Sequence, residues 1–108
     1  MKPLIYLTFL LAIFPIQASE RVNNQKVVAI YQLDDEDEAG FDFITSSKIH
    51  SCDENPSGRF RSYSNEPLVA ERNFLLVLKA FDSKAKLSFR VLSCEGKAML
   101  VDQIGIQR

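Results

Sequence analysis

The hydrophobic and polar positions of this chain fall into two periods. From Glu66 to Ala85 the period is helical. At about 100° per residue, Ala70, Phe74, Val77, Leu78, Phe81 and Ala85 form one stripe. Pro67 suits a first helical turn, where a missing N–H costs nothing, and Ser64, Asn65 and Glu66 offer capping oxygens. Lys84 and Lys86 suit the negative pole of the helix dipole. Leu87, Phe89 and Val91 then alternate with Ser88 and Arg90, which is strand spacing. Upstream, Lys26 to Leu33 reads as a strand apolar on both faces. Phe41 to Thr45 reads as a second strand and Arg59 to Ser64 as a third. Ala98 to Gln107 closes the pattern as a fifth strand, with Gly105 marking a bulge or a close backbone approach. Glu20 to Gln25 is polar and reads as a frayed start.

The helix carries more apolar side chains than one stripe needs. Leu68 and Leu75 project to one flank, and Val69, Leu76 and Ala80 lie nearly opposite the main stripe. A helix apolar on more than one side has two neighbours. Val69, Leu76 and Ala80 are therefore the expected face for self-association or for a partner. A few exposed leucines needing no explanation is the plain alternative.

The first eighteen residues read as a secretory signal peptide: Met1 and Lys2, an apolar run from Leu4 to Ile16, then Ala18 and Ser19 as small residues for cleavage. The run is short for a membrane span of about 20 residues, so no membrane association is expected after cleavage. Residues 19–108 then form a single domain. Losing Lys2, the sole charge of the leader, takes the net charge from −1 to −2. An acidic, exported chain is not expected to bind nucleic acid. Two cysteines remain, Cys52 and Cys94. In an exported chain of this size they imply a disulfide, and two cysteines permit one pairing. The expected location is the periplasm or the cell exterior.

Chemistry is sparse. Asp34 to Glu38 are five consecutive acids, without the spacing of a calcium loop, and read as a solvated hairpin turn. His50, the single histidine, cannot build a multi-histidine metal site. No G-x-S-x-G or H-E-x-x-H occurs, so no enzyme activity, cofactor or metal is expected. Paired carboxylates such as Asp42 and Asp102 are the remaining route to acid–base chemistry. Arg59, Arg61 and Tyr63 share one face of the third strand and suit an anionic or sugar ligand, because the guanidinium fork matches carboxylates. Arg90 joins them if its strand lies alongside. A solvated face whose arginines pair with nearby acids is the competing reading.

The order of elements is β-β-β-α-β-β, which matches a mostly β, five-stranded OB-fold-like barrel with one helix and one disulfide. Several residues carry a closer resemblance. A strand pair with an acidic turn (Val27 to Thr45) precedes Cys52. Arg59-Phe60-Arg61 comes next, then Asn73-Phe74-Leu75-Leu76 and Leu78-Lys79-Ala80-Phe81 on the helix. Lys84-Ala85-Lys86, Leu87-Ser88-Phe89-Arg90-Val91, Cys94-Glu95-Gly96 and Gln103-Ile104-Gly105-Ile106 complete the set. This pattern resembles small exported bacterial proteins similar to the binding subunits of AB5 toxins of the pertussis and subtilase types. The resemblance implies a homo-oligomeric ring of five subunits, helices lining its centre and glycan sites on the barrel wall. The expected function is a secreted, non-enzymatic glycan-binding subunit. The alternative is a periplasmic or secreted inhibitor or assembly protein that binds another protein through the spare helix face.

Overall fold

The computed structural model describes residues 19–34 and 39–108. The expected signal peptide, residues 1–18, and most of the expected acidic turn, residues 35–38, lie outside them. Among the described residues six strands and one helix follow one another: β1 Arg21–Gln25, β2 Val27–Gln32, β3 Ala39–Thr45, β4 Arg59–Ser64, α1 Pro67–Ser83, β5 Lys86–Glu95 and β6 Ala98–Gln107. They form one sheet in the order β1-β5-β6-β4-β3-β2. All neighbours are antiparallel except β4 and β6, where Phe60 faces Met99 and Arg61 faces Leu100 in parallel. Among the described residues no helix is long and apolar enough to cross a membrane.

Arg21–Gln25 is not a frayed start but a strand, with Val22 opposite Phe89 and Gln25 opposite Leu87. Val22 and Gln25 are buried against the core side, so pairing with β5 makes this segment a strand although its sequence is almost wholly polar. The five-stranded closed barrel is replaced by a six-stranded sheet whose hydrogen-bond order ends at β1 and β2 and does not close. The two edge strands are nonetheless consecutive in the chain, with Lys26 alone between them. That residue marks a change of partner: Gln25 faces Leu87 on β5, whereas Val27 faces Thr45 on β3.

Alternation builds the core. Phe41, Phe43, Phe60, Leu87, Phe89, Val91 and Val101 point to one side of the sheet and are buried there. Phe43, Phe60 and Phe89 are fully enclosed and touch one another at ring separations of 4.7 to 5.6 Å. Each buried ring contributes about 1.5–3 kcal/mol relative to exposure. A register shift at Val28 resets the parity of β2, so Val27 and Ile30 both reach the core while Val28 and Tyr31 stay exposed. On β6 the irregularity falls at Gln103, whose φ is 49°; Gly105 itself stays in register opposite Ser88.

The helix sits on the sheet with a different face from the one its main stripe predicts. Val77 and Ala80 are its buried residues, and Phe74 packs against the core from the same side. Leu78 and Phe81, expected inside, are exposed. Ala80, expected on the partner face, is 1% exposed and belongs to the core side. The small side chain of Ala80 fits against the sheet, and Asn73 turns toward Ser62. The helix ends where Lys84 adopts the left-handed conformation at φ 61°. Among the described residues no side chain caps the first turn at Glu66, contrary to expectation; Ser64 Oγ accepts the Glu66 N–H at 3.1 Å, ahead of the helix.

Cys52 and Cys94 form the expected disulfide. It ties the loop between β3 and β4 to the end of β5. The same loop is held by two backbone bonds between His50 and Ser57, at 3.2 and 2.7 Å.

Candidate functional site

The face of the sheet opposite the core carries the charged side chains. On β3 and β4 the register places Gly40 opposite Tyr63, Asp42 opposite Arg61 and Ile44 opposite Arg59. These residues alternate with the buried phenylalanines, so they share the outer face. Asp42 is the centre of the cluster. Its side chain is fully buried, covered by the two arginines that hold it. Arg61 donates from Nε to Oδ1 at 2.6 Å and from Nη2 to Oδ2 at 2.9 Å, the bidentate fork. Its Nη1 donates to Glu95 Oε1 at 3.0 Å. Hydrogen bonding to Asp42 raises the Arg61 pKa above its ordinary value, against the opposing effect of burial. Arg59 touches the same carboxylate once, from Nη1 to Oδ2 at 2.6 Å.

The arginines named in the sequence therefore differ in what they have left to offer. Arg61 has its fork on Asp42 and its remaining terminal nitrogen on Glu95. Arg90 places its fork on Asp102, Nε to Oδ1 at 2.8 Å and Nη2 to Oδ2 at 2.6 Å. That hydrogen bond raises its pKa too. Its strand, β5, does not lie alongside β4, because β6 runs between them, so Arg90 does not join the β4 arginines. Arg59 alone of the three keeps its Nε and Nη2 edge unused among the described residues. Its guanidinium carbon lies 5.4 Å from the centre of the Tyr31 ring. Tyr31 is exposed and stands opposite Asp42 on β2. Tyr63 plays another part. Its ring covers Gly40 so closely that a Cβ there would come within 2.5 Å of it.

Tyr31 and Asp42 were missed as members of the cluster. Both lay in strands read from the sequence, and a correct register between β2, β3 and β4 would have brought them to Arg59 and Arg61.

Asp42 and Asp102 do not converge. They stand on β3 and β6 with β4 between, and each faces its own arginine. Among the described residues no group of three His, Cys, Asp or Glu side chains could hold a metal ion. His50 is buried between two backbone groups. Its Nε2 meets the Arg59 carbonyl oxygen at 2.6 Å, and its Nδ1 accepts the Cys52 N–H at 3.2 Å. Burial lowers its pKa, opposed by the bond to Arg59 and by the charge of Asp53.

On α1 the exposed apolar side chains are Leu68, Val69, Leu75, Leu78 and Phe81. Leu76 is half-buried. No family model, curated protein or solved structure matches the chain.

Proposed function

We propose that this protein is an exported, non-enzymatic binding subunit that self-associates through α1 and presents Arg59 and Tyr31 to a carboxylate-bearing glycan. The observation that carries the reading is the outer side of α1. Five large apolar side chains on one 17-residue helix are 40 to 63% exposed. Such concentration on one element marks an interaction surface.

The arrangement of these side chains supports a ring. Leu68 and Leu75 each precede Val69 and Leu76 by one residue, so the two stripes lie about 100° apart around the axis. A ring of about five helices meets its neighbours near that angle, with α1 turned to the centre. The sheet supports an OB-like relationship: β2, β3, β4, β6 and β5 lie side by side in that order, β4 and β6 run parallel, and β1 leads into β2 through Lys26. These features agree with the likeness to AB5-toxin binding subunits, and the disulfide is compatible with export.

For the ligand, Arg59 is the anchor. Asp42 takes its Nη1, the Tyr31 ring lies beside its guanidinium, and its Nε and Nη2 have no partner among the described residues. A planar carboxylate matches that fork, and an exposed tyrosine beside it suits a sugar ring.

The native mass of the oxidised protein, residues 19–108, measured by sedimentation, tests the assembly. The expected result is about five times the chain mass, falling to a monomer in Leu75→Asp. A wild-type monomer would remove the ring. A groove of about 440 Å³ along Leu75, Leu78 and Phe81 favours a second reading in that case, a different protein seated on the same face.

A further inference from the structure

A cleft of about 400 Å³ opens between the first half of α1 and the ends of β2, β3 and β4. It lies on the core side of the sheet, whereas Arg59 and Tyr31 lie on the outer side, so it is independent of the glycan reading. We propose that this cleft binds a compact, uncharged, largely apolar molecule carrying one hydroxyl, of the size of a single substituted aromatic ring, and that Ser62 is its hydrogen-bonding partner.

Three features lead to this ligand class. The first is the lining. Leu33, Phe41, Ala70 and Phe74 supply apolar surface, and Gly40 adds backbone without a side chain. Phe41 and Phe74 meet edge to face at 5.3 Å, leaving a surface that suits a further aromatic ring. The volume is at the low end of small-molecule sites, which run from about 300 to 1,000 Å³.

The second is Ser62. It lines the cleft and is 2% exposed. Among the described residues its one side-chain hydrogen-bond contact is from Asn73 Nδ2 at 3.5 Å, the outer limit for such a bond. That contact uses Ser62 as an acceptor and leaves its hydroxyl proton without a side-chain or backbone acceptor among the described residues. Gln32 and Glu71 also line the cleft but are exposed, so this weakly held hydroxyl is the buried polar side chain that would orient a ligand there.

The third is charge. Among the described residues Glu71 is the single charged one of the lining, and it is exposed at the rim. Among the described residues no base lines the cleft, so an anion meets no counter-charge there and a negative rim. The apolar interior offers nothing to a fully charged cation.

Phenol and toluene test the site as probes of equal shape, one with the hydroxyl and one without. Amide and side-chain NMR shifts of the oxidised protein, followed through a titration, report where each binds. Saturable shifts are expected at Phe41, Ser62 and Phe74 with both probes, phenol binding more tightly. Ser62→Ala should weaken phenol about 2- to 10-fold, the range for one neutral hydrogen bond, and leave toluene unchanged. Ala70→Leu should fill the cleft and abolish both. Absence of saturable shifts at these residues overturns the proposal. Equal effects of Ser62→Ala on the two probes, or undiminished phenol binding in that variant, overturn the role of Ser62. Should Ala70→Leu fail to fold, the wild-type titrations and the Ser62→Ala comparison decide the matter alone.

Discussion

Arg61 and Asp42 face each other across β3 and β4, and the arginine closes its fork on a carboxylate with no solvent exposure. Removing Arg61 leaves this buried carboxylate with a single side-chain hydrogen bond, from Arg59, and without its bidentate partner. Arg61→Leu should therefore destabilise the fold by about 3 kcal/mol, read from the midpoint of urea unfolding. Arg59→Leu removes one contact from a more exposed side chain, and Arg61 still holds Asp42, so its cost should stay below about 1 kcal/mol. Equal costs would mean that the two arginines share the carboxylate evenly, contrary to the geometry. Arg61 is thus a poor position at which to separate binding from folding, and Arg59 a good one.

His50 makes stability depend on pH with a definite sign. Burial lowers its folded pKa, and both ring nitrogens are engaged with the ring neutral. The unfolded chain takes up its proton near pH 6.5, so below that value it binds more protons than the folded one. Stability should be level above about pH 6.5 and fall as the pH drops through the window between that value and the lowered folded pKa. Thermal melts from pH 8 to 5 check this. His50→Gln should remove the part of the slope nearest pH 6; an unchanged slope would assign it to other groups.

The disulfide closes a loop of about 43 residues, for which the chain-entropy model gives about 4 kcal/mol. A Cys52→Ser, Cys94→Ser double variant should lose much of that stability in urea. Amide exchange should rise first in residues 46–58, whose ties to the rest include this bond. A loss below about 1 kcal/mol would place the stabilisation of that loop in His50 and its hydrogen bonds instead.

Two glycines separate space from backbone conformation. A Cβ on Gly58 would lie 2.5 Å from the Thr45 carbonyl oxygen and 2.7 Å from that of Ser47. Gly96, in the turn between β5 and β6, has φ 58° and nothing within 4 Å of such an atom. Gly96→Ala should cost about 1 kcal/mol from the left-handed backbone alone. Gly58→Ala should cost more, because the obstructing atoms are backbone and cannot swing away. Reversal of that order in thermal melts would contradict the close approach of this loop to β3.

Much of the architecture was legible along the chain. The helix from Pro67 and the strands around Val27, Phe43, Phe60, Phe89 and Val101 announced themselves through their periods. The disulfide followed from two cysteines and an apparent leader. β1 did not, because its one apolar residue, Val22, makes no alternation; its structure comes from pairing with β5. The face of α1 was misjudged for a related reason. Leucines and phenylalanines lie on three sides, and which side is buried depends on the sheet beneath, where Ala80 fits and Phe81 does not. The cluster around Asp42 needed a register that no local pattern contains. Its members come from β2, β3 and β4, and the arginines' partners decided which of them is spare.

That the chain is a binding subunit is tested most directly by an array of neutral and carboxylate-bearing glycans probed with the oxidised protein and two variants, Arg59→Leu and Arg90→Leu. The account predicts binding to carboxylate-bearing glycans that is lost in Arg59→Leu and kept in Arg90→Leu, with all three proteins folded. Binding that survives Arg59→Leu, or no glycan bound by the wild type, would contradict it.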